Sequence, residues 1–381
     1  MQAKPIDSLT SPAAKKYQAM KNRLFLFNLI AEFLFLFLLV FTGWSRQLKI
    51  FLLHFRDDFV AINALYFTLF SFIAFLISLP MDFYESYYLE HRFGLSRQTF
   101  GSWAVDLLKK SLLVFGISLV LVSAVYYFLS AFARTWWLWA AGFWFFVSII
   151  LTKIFPKIIL PLFYKYVPLE KGILRDKIFS LLDRYKIRLK DIYVLDFSKK
   201  TVKANAMVAG LGATKQIFLS DTLVKGFNPE EIEVVLSHEV GHYLHRDTFK
   251  IVLAGLCSAL ISFYGASVVM ERLIPYFHFS ALSDIAGLPL FLAILLATGL
   301  ILLPLQNSYS RFLEGRADRF ALEATRNPGA FITTMQKLGE KNLSEFSPSK
   351  IVEIFLYDHP PLAARIKSAQ EKTEGKGAHG F

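Results

Sequence analysis

The sequence predicts a mostly α-helical integral membrane protein that carries a small α+β domain outside the membrane. Three observations support this fold class. Hydrophobic residues make up 55% of the 381 residues and charged residues only 19%, which is far from the average of soluble proteins. The hydrophobic residues are concentrated in six long runs, and a polar region between the fourth and fifth runs mixes helical and β-rich patterns. The apolar runs therefore belong in a bilayer, and the polar region is expected to fold outside it.

The six apolar runs are long enough to cross a membrane. Each contains about 20 residues, which at a rise of ~1.5 Å per residue spans a hydrocarbon core of ~30 Å. The polar leader at 1–23 lacks a small-residue cleavage site, so the first run is predicted to be a retained span. The first four spans and a polar loop at 81–110 form the region 24–163, and the last two form 251–306. The predicted transmembrane helices are 24–44, 61–80, 111–132, 136–154, 251–270 and 285–305.

The distribution of basic residues predicts the orientation of these helices. A net charge of +12 would suit a nucleic-acid partner, but positively charged cytoplasmic flanks also produce it. If the N-terminus is cytoplasmic, the segments on the far side carry only five of the 42 Lys and Arg residues, namely Arg46, Lys49, Arg56, Arg134 and Arg272. We therefore expect both termini and the polar regions to be cytoplasmic. No soluble module combines a basic face with stacking aromatic residues, so no nucleic-acid partner is expected.

The region 164–250 is predicted to be the first part of the extramembrane domain. A helical pattern at 173–185 precedes the β-rich runs, which predict a small three-stranded sheet at 192–197, 204–209 and 216–220. The tetrapeptide beginning at Asn228 then offers an N-cap, a proline at the first helical position and a glutamate at the third. A helix should begin there and run through His245.

The region 307–370 is predicted to be the second part of the same domain. Its pattern favours a helix at 308–325, followed by two or three shorter helical stretches. The last residues, 371–381, are rich in Gly and Lys, and we expect them to be disordered.

A metal-binding motif lies on the helix that begins at Asn228. In the sequence His-Glu-Val-Gly-His, the four-residue spacing puts His238 and His242 on one helical face, one turn apart, so that both imidazoles can bind one ion. Glu239 follows the first histidine directly and would lie beside the metal, where a water molecule needs a base. The motif also occurs by chance, but the capped helix and its apolar face favour a metal site over two packed or solvated histidines.

A catalytic zinc ion usually takes three protein ligands and leaves one position for water. Glu314, on the predicted helix after the sixth span, supplies the third ligand. Asp318 lies one helical turn further on and can accept a hydrogen bond from a ligand histidine, and we place Arg311 with it behind the ligands. Taken alone, Glu314 would also suit a surface helix of mixed charge. Together the two motifs predict one Zn²⁺ per chain, with Glu239 as the catalytic base.

The two motifs together resemble the gluzincin peptidases. With membrane spans on both sides of them, the chain resembles one branch, the type I CAAX prenyl endopeptidases, from about residue 60 to 370. The matching segments are YESYYLEHRFG at 84–94, Asn205-Ala206 followed by Gly210, and Asp358-His359-Pro360-Pro361 followed by Arg365 and Ile366.

The resemblance implies roles for several residues outside the zinc site. Asn205 and Ala206 would bind the backbone of an extended peptide, which adds to the edge of the sheet as a further strand. His359 would be catalytic and also contact the substrate, since it would face the scissile carbonyl and stabilise the oxyanion. Arg365 would hold His359 in place at the substrate. Alternatively, Asn205 only closes a turn, and the His-Pro-Pro sequence only ends a helix.

The resemblance also implies a substrate and a location. The chain would be a zinc endopeptidase that cleaves near the C-terminus of proteins or peptides, which the resemblance implies are prenylated. It would lie in the plasma or inner membrane of a bacterium or in the endoplasmic reticulum of a eukaryote. It departs from the eukaryotic members, which have seven spans against the six predicted here, so closure of an intramembrane chamber stays open. His245, three residues past His242, is expected to make a contact behind the ligands or at the surface.

Two other classes of function remain possible from the sequence. A general membrane quality-control protease would share the zinc residues and resemble the heat-shock membrane zincins, although those are shorter and typically have fewer spans. A membrane transporter or scaffold could hold a structural zinc ion, but transporters usually carry polar or broken helices at mid-membrane, and no pair of interrupted spans is evident.

Overall fold

The structure is a computed structural model that describes residues 9–187, 191–210 and 215–373. The first residues of the predicted leader and most of the predicted disordered tail, at 1–8 and 374–381, lie outside the described residues. The described chain is mostly helical, which confirms the predicted fold class. Its helices are α1 (Pro12–Phe41), α2 (Trp44–Leu53), α3 (Phe59–Phe83), α4 (Glu90–Arg92), α5 (Phe100–Ala131), α6 (Trp136–Ile154), α7 (Leu160–Phe163), α8 (Ile173–Arg184), α9 (Asp221–Gly226), α10 (Pro229–Leu244), α11 (Asp247–Phe277), α12 (Leu288–Thr325), α13 (Pro328–Lys341), α14 (Lys350–Leu356) and α15 (Leu362–Thr373).

Six helical segments of the described chain are long and apolar enough to cross a membrane, as predicted. They are Pro12–Phe41, Phe59–Arg92, Phe100–Ala131, Trp136–Phe163, Asp247–Phe277 and Ile285–Thr325. Each extends past the predicted apolar run at one end or both, although the first ends at Phe41 and the third at Ala131, before the predicted ends at 44 and 132. Two of them continue through π-helical turns at Tyr84–Leu89 and Phe155–Ile159.

The sixth membrane helix is continuous with the helix predicted to carry the third metal ligand. The sequence predicted a span at 285–305 and a separate helix at 308–325, but α12 runs unbroken over 38 residues with Pro304 inside it. Leu313 and Ala317 are buried near its C-terminal end. A side chain on that end is therefore fixed directly to the membrane bundle.

The membrane bundle has its own core of aromatic and aliphatic side chains. Trp136 and Tyr66 are completely buried there, and the indole N–H of Trp136 donates to Ser267 Oγ at 3.2 Å. At the end of the bundle away from the sheet, Lys49 Nζ pairs with Asp284 at 2.8 Å. Apolar packing and paired polar groups together hold the six helices in one body.

The sheet has four strands rather than the three that the sequence predicted. The strands are β1 (Tyr166–Pro168), β2 (Ile192–Leu195), β3 (Ala206–Ala209) and β4 (Gln216–Ser220), in the order β1-β2-β4-β3. The extra strand, β1, pairs antiparallel with β2. It has only three residues and ends in a proline, which is too short for an alternating pattern to show in the sequence.

The position of β3 matters most for the site. It pairs antiparallel with β4, with Val208 opposite Ile217, and is the outermost strand of the sheet in the described part of the chain. The sheet and α10 share a core that includes Ile217, Ile232 and Leu236, all at most 1% exposed. This packing holds the β3 edge beside the helix of the metal-binding motif.

Candidate metal centre and active site

The helix α10 starts where the sequence predicts. Asn228 Oδ1 accepts a hydrogen bond from Glu231 N at 2.8 Å, and Glu231 Oε2 accepts one from Asn228 N at 2.9 Å. This capping box satisfies two N–H groups at the helix start. The helix ends at Leu244, with His245 as its C-cap.

Gly241, inside the motif, lets α10 approach α12 closely. A Cβ atom at this position would lie 3.2 Å from Ala317 Cα and 3.3 Å from a ring carbon of Phe320. Any larger residue would push the two helices apart. The glycine therefore brings the two histidines of α10 to the glutamate of α12.

The structure brings together the three predicted metal ligands. The Nε2 atoms of His238 and His242 lie 3.1 Å apart. Glu314 Oε2 is 3.2 Å from Nε2 of His238, and Glu314 Oε1 is 3.3 Å from Nε2 of His242. Candidate ligand atoms of the three residues all lie within 4.8 Å of one another.

Each of the two histidines is oriented from behind by a buried carboxylate. Nδ1 of His238 is 2.9 Å from Asp318 Oδ1, and Nδ1 of His242 is 3.0 Å from Asp247 Oδ2. In a neutral imidazole whose Nδ1 proton is accepted by a carboxylate, Nε2 carries the lone pair, so this arrangement lets both Nε2 atoms bind one ion.

Arginines support both carboxylates. Arg365 donates to Asp318 through two nitrogens, at 2.7 and 2.5 Å, and Arg316 donates to Asp247 Oδ1. Asp247 is 1% exposed and Asp318 6%. Since burying a carboxylate is costly unless it is paired, the arginines make these two anchors possible.

The electrostatics of the cluster favour a cation between the ligands. Burial by itself lowers the pKa of His238, but the carboxylates of Asp318 and Glu314 outweigh it and raise the pKa to about 9. A metal ion would displace the Nε2 proton of His238, and two imidazole nitrogens with a carboxylate are a donor set that suits a divalent metal ion. The residues present therefore fit the metal that the motif predicts.

Glu239 lies beside the ligands and is oriented by the sheet. Its Oε2 accepts a hydrogen bond from Val208 N at 3.1 Å. Burial raises the pKa of Glu239, and the neighbouring histidines act in the opposite direction. A carboxylate with a raised pKa beside a metal site is suited to accept a proton from water.

The outer edge of β3 faces the site and pairs with no other strand in the described part of the chain. Asn205 O accepts from Ser220 N at 2.9 Å, so the backbone of Asn205, Met207 and Ala209 points toward β4. The alternate residues, Ala206 and Val208, consequently point outward, as the bond from Val208 N to Glu239 shows. The Asn205 side chain is exposed at the start of this edge.

His359 also reaches the cluster. Its Nε2 atom is 3.3 Å from Glu314 Oε1, and its Nδ1 atom is 2.7 Å from Asp358 Oδ1. The hydrogen bond with His359 lowers the pKa of Asp358. The His359 side chain is 53% exposed, so it stands at the open side of the centre, where a substrate would arrive.

The two arginines that the sequence predicts at the site, Arg365 and Arg311, bind groups other than the metal ligands and His359 in the described part of the chain. Arg365 holds Asp318, and in the described part of the chain it makes no hydrogen bond to His359. Arg311 donates to the carbonyl oxygens of Glu353 and Tyr357, at 2.9 and 2.6 Å. It thus fixes the end of α14, immediately before His359, rather than contacting a ligand.

Sequence reasoning missed Asp247, Arg316 and the Val208 N–H. Asp247 could have been proposed from the sequence, because it lies five residues after His242, at the start of the next membrane helix. The His245 ring meets the ring of Phe320 edge to face, with ring centroids 6.1 Å apart, and burial lowers the pKa of His245.

The geometry can be compared with known proteins. A family model described as CAAX prenyl protease N-terminal, five membrane helices, matches residues 3–165, and the model of peptidase family M48 matches residues 168–373. An uncharacterized metalloprotease of Bacillus subtilis, YhfN, is 33% identical over 374 residues, which cover 96% of this chain and 86% of that protein. CAAX prenyl protease 1 of Saccharomyces cerevisiae is 31% identical over 338 residues, covering 83% and 74%.

A solved structure agrees with the fold. The crystal structure of S. mikatae Ste24p superposes with a TM-score of 0.82 at 26% identity and covers 93% of this chain and 88% of that one. Fold and site thus define a multi-pass membrane metalloprotease. The chain belongs to peptidase family M48, which confirms the predicted resemblance.

Proposed function

We propose that this chain is a zinc endopeptidase that cleaves peptide bonds near the C-terminus of prenylated proteins or peptides. The observation that carries the proposal is the convergence of His238, His242 and Glu314 at the end of an apolar helical bundle, beside an open strand edge. His238, His242 and Glu314 would hold the zinc ion. When bound, zinc supplies the Lewis acidity that polarises a scissile carbonyl and lowers the pKa of a water molecule.

The side chains around the centre would carry the proton transfers. Glu239 accepts the proton of the attacking water and then donates it to the amine that leaves when the peptide bond breaks. The hydrogen bond from Val208 N keeps the Glu239 carboxylate oriented. His359, through Nε2, would donate a hydrogen bond to the oxygen of the scissile carbonyl as negative charge develops on it.

The substrate would bind as an extended strand on β3. Ala206 N–H and the carbonyl groups of Ala206 and Val208 can pair with a peptide backbone, and Asn205 can add a side-chain hydrogen bond. A peptide bound along this edge would pass Glu239, because Val208 is part of the edge and its N–H donates a hydrogen bond to the Glu239 carboxylate. Asp318, Asp247, Arg365 and Arg316 would hold the ligands rather than the substrate.

The prenylated substrate is inferred from where the site lies and from the relatives. Glu314 stands near the end of the last membrane helix, so a substrate with a lipid-soluble end and an extended polar end can use the bilayer and the β3 edge together. Relatives of similar sequence are named CAAX prenyl proteases. With basic residues concentrated on one side, the centre would face the cytoplasm, as would both termini.

The proposed domain organisation follows the same division. The regions 164–250 and 307–370 would form one catalytic domain, and the two membrane helices between them would join its two parts.

The experiment is peptide cleavage by the protein purified in detergent. Farnesylated and unmodified peptides with the same C-terminal sequence are compared, with Glu239→Gln as the control for contaminating proteases. Preference for the farnesylated peptide, lost in the variant, supports the proposal. Equal cleavage of both peptides would indicate a broad membrane protease, and cleavage that persists in the variant would remove Glu239 from its role.

A further inference from the structure

The segment 200–205, which leads into β3, is attached to the membrane part of the molecule. Val202 N donates to Leu95 O at 3.0 Å, and Arg97 N donates to Lys200 O at 2.9 Å. Ser96 and Thr201 form an isolated β-bridge. The connection between membrane helices α3 and α5 therefore pairs, backbone to backbone, with the approach to the substrate strand.

Side chains from three different elements join at the same place. Lys203 Nζ lies 2.8 Å from Glu90 Oε2, and Tyr17 of α1 donates its hydroxyl to Glu90 Oε1 at 2.5 Å. Lys203 Nζ also lies 3.2 Å from the Tyr17 hydroxyl. Glu90 follows the π-helical turn that extends α3. The side chains of Lys203 and Glu90 are 31% and 14% exposed, so water screens this pair less than it screens a surface pair.

The other side of the segment is attached to the catalytic domain. Ala204 N donates to Asn342 Oδ1 at 3.1 Å, and Asn342 Nδ2 donates to Ala204 O at 3.3 Å. Thr222 Oγ1 donates to Lys203 O at 2.6 Å. The residues just before β3 are thus fixed between the membrane helices and the second part of the domain.

We propose that Lys203, held by Glu90 and Tyr17, is a positioning residue that sets β3 at a fixed distance from membrane helices α1 and α3. The inference rests on the proposed function, in which the outer edge of β3 binds the peptide while its lipid end lies among the membrane helices. Lys203 precedes Asn205 by only two residues, so a displacement of Lys203 would also displace the backbone of the β3 edge. Lys203 is neither one of the three candidate metal ligands nor part of β3.

The positioning role predicts a specific kinetic effect. In Lys203→Ala, KM for the farnesylated peptide should rise about tenfold, the size expected when one partner of a charged, part-buried hydrogen bond is lost. The kcat value should stay within about twofold of the parent value, because Glu239 is also held by its own helix. Lys203→Arg should restore KM. Lys199→Ala removes a neighbouring lysine that is 69% exposed and serves as the matched control.

A distance measurement tests the same inference without proteolysis. In a Cys257→Ser background, spin labels at positions 88 and 205 report the separation of the extended α3 helix and the start of β3 by pulsed electron paramagnetic resonance. A narrow distance distribution is expected in the doubly labelled parent protein and in Lys203→Arg, and a broad one in Lys203→Ala. If Lys203→Ala fails to fold, Glu90→Gln replaces it in both measurements.

The outcomes separate this inference from the proposed function. An unchanged KM or an unchanged distance distribution in Lys203→Ala would overturn the positioning role. A rise in KM that is matched by an equal fall in kcat and a lower melting temperature would overturn it as well. If the parent protein cleaves neither peptide, the proposed function fails, and the distance distributions still decide whether Lys203 positions β3.

Discussion

Removing the Asp247 carboxylate should weaken zinc binding although the residue is not a ligand. Asp247 accepts a hydrogen bond from Nδ1 of His242 at 3.0 Å and another from the guanidinium of Arg316. It also lies 3.6 Å from Lys250 Nζ. In Asp247→Ala, His242 loses the group that fixes its tautomer, and the guanidinium of Arg316 loses its partner close to the metal. Loss of a carboxylate of this kind lowers metal affinity about 10- to 100-fold, or ~1.4 to 2.7 kcal/mol.

The charge and the hydrogen bond of Asp247 can be separated. Asp247→Asn keeps an oxygen that can accept from His242 but presents an amide to Arg316, so its zinc affinity should fall between those of the parent protein and Asp247→Ala. Asp183→Asn, at an exposed position of α8, is the matched control and should not change the affinity.

The assay is competition for zinc between the purified protein and a chromophoric chelator. The melting temperature, measured with saturating zinc, controls for the position of Asp247 in the first turn of α11, where a carboxylate also contributes ~0.3 to 1 kcal/mol to the helix. A zinc affinity of Asp247→Ala within twofold of the parent value would refute the reasoning that this carboxylate orients His242.

Three further predictions concern the base, the strand edge and the helix contact. Glu239→Gln should retain one zinc ion per chain, measured by elemental analysis, and lose at least ~100-fold in kcat, because it cannot accept a proton; turnover near the parent value would assign the base elsewhere. Asn205→Ala should raise KM with little change in kcat, and identical steady-state constants would contradict strand addition. Gly241→Ala should lower the free energy of unfolding by ~1 to 3 kcal/mol, because the new Cβ meets Ala317, and an unchanged denaturation midpoint would show that α10 and α12 move apart freely.

Much of the fold could be predicted because it depends on local pattern. Six apolar runs give six membrane helices, and Asn228 gives the start of α10, since hydropathy and capping are properties of neighbouring residues. The strand β1 could not be predicted, because three residues ending in Pro168 form a strand only by pairing with β2.

Part of the site could also be predicted from local pattern, and the rest depends on tertiary structure. His238 and His242 are one turn apart on a single helix, so their meeting follows from helix geometry. Glu314 required the second motif, and the structure explains its approach through Gly241 and the unbroken α12. The partnership of Asp247 with Arg316 and the bond from Val208 to Glu239 join residues from different elements, and only tertiary structure determines which elements meet.

The binding partners of Arg365 and Arg311 could not be predicted from the motifs in which these arginines lie. Arg365 was expected to hold His359, but its guanidinium binds Asp318 with two hydrogen bonds. Arg311 fixes the carbonyl groups at the end of α14, before His359. A long arginine side chain can reach several groups near its own helix, and a linear spacing cannot distinguish which of them it binds.

The most direct test of the central claim is X-ray absorption at the zinc K-edge of the purified protein. The account predicts one zinc ion per chain in a shell of nitrogen and oxygen atoms only, with the outer-shell scattering of two imidazoles, and a changed spectrum in Glu314→Ala. A spectrum that shows sulfur ligands, or one that is the same in the parent protein and in Glu314→Ala, would contradict a centre built from His238, His242 and Glu314.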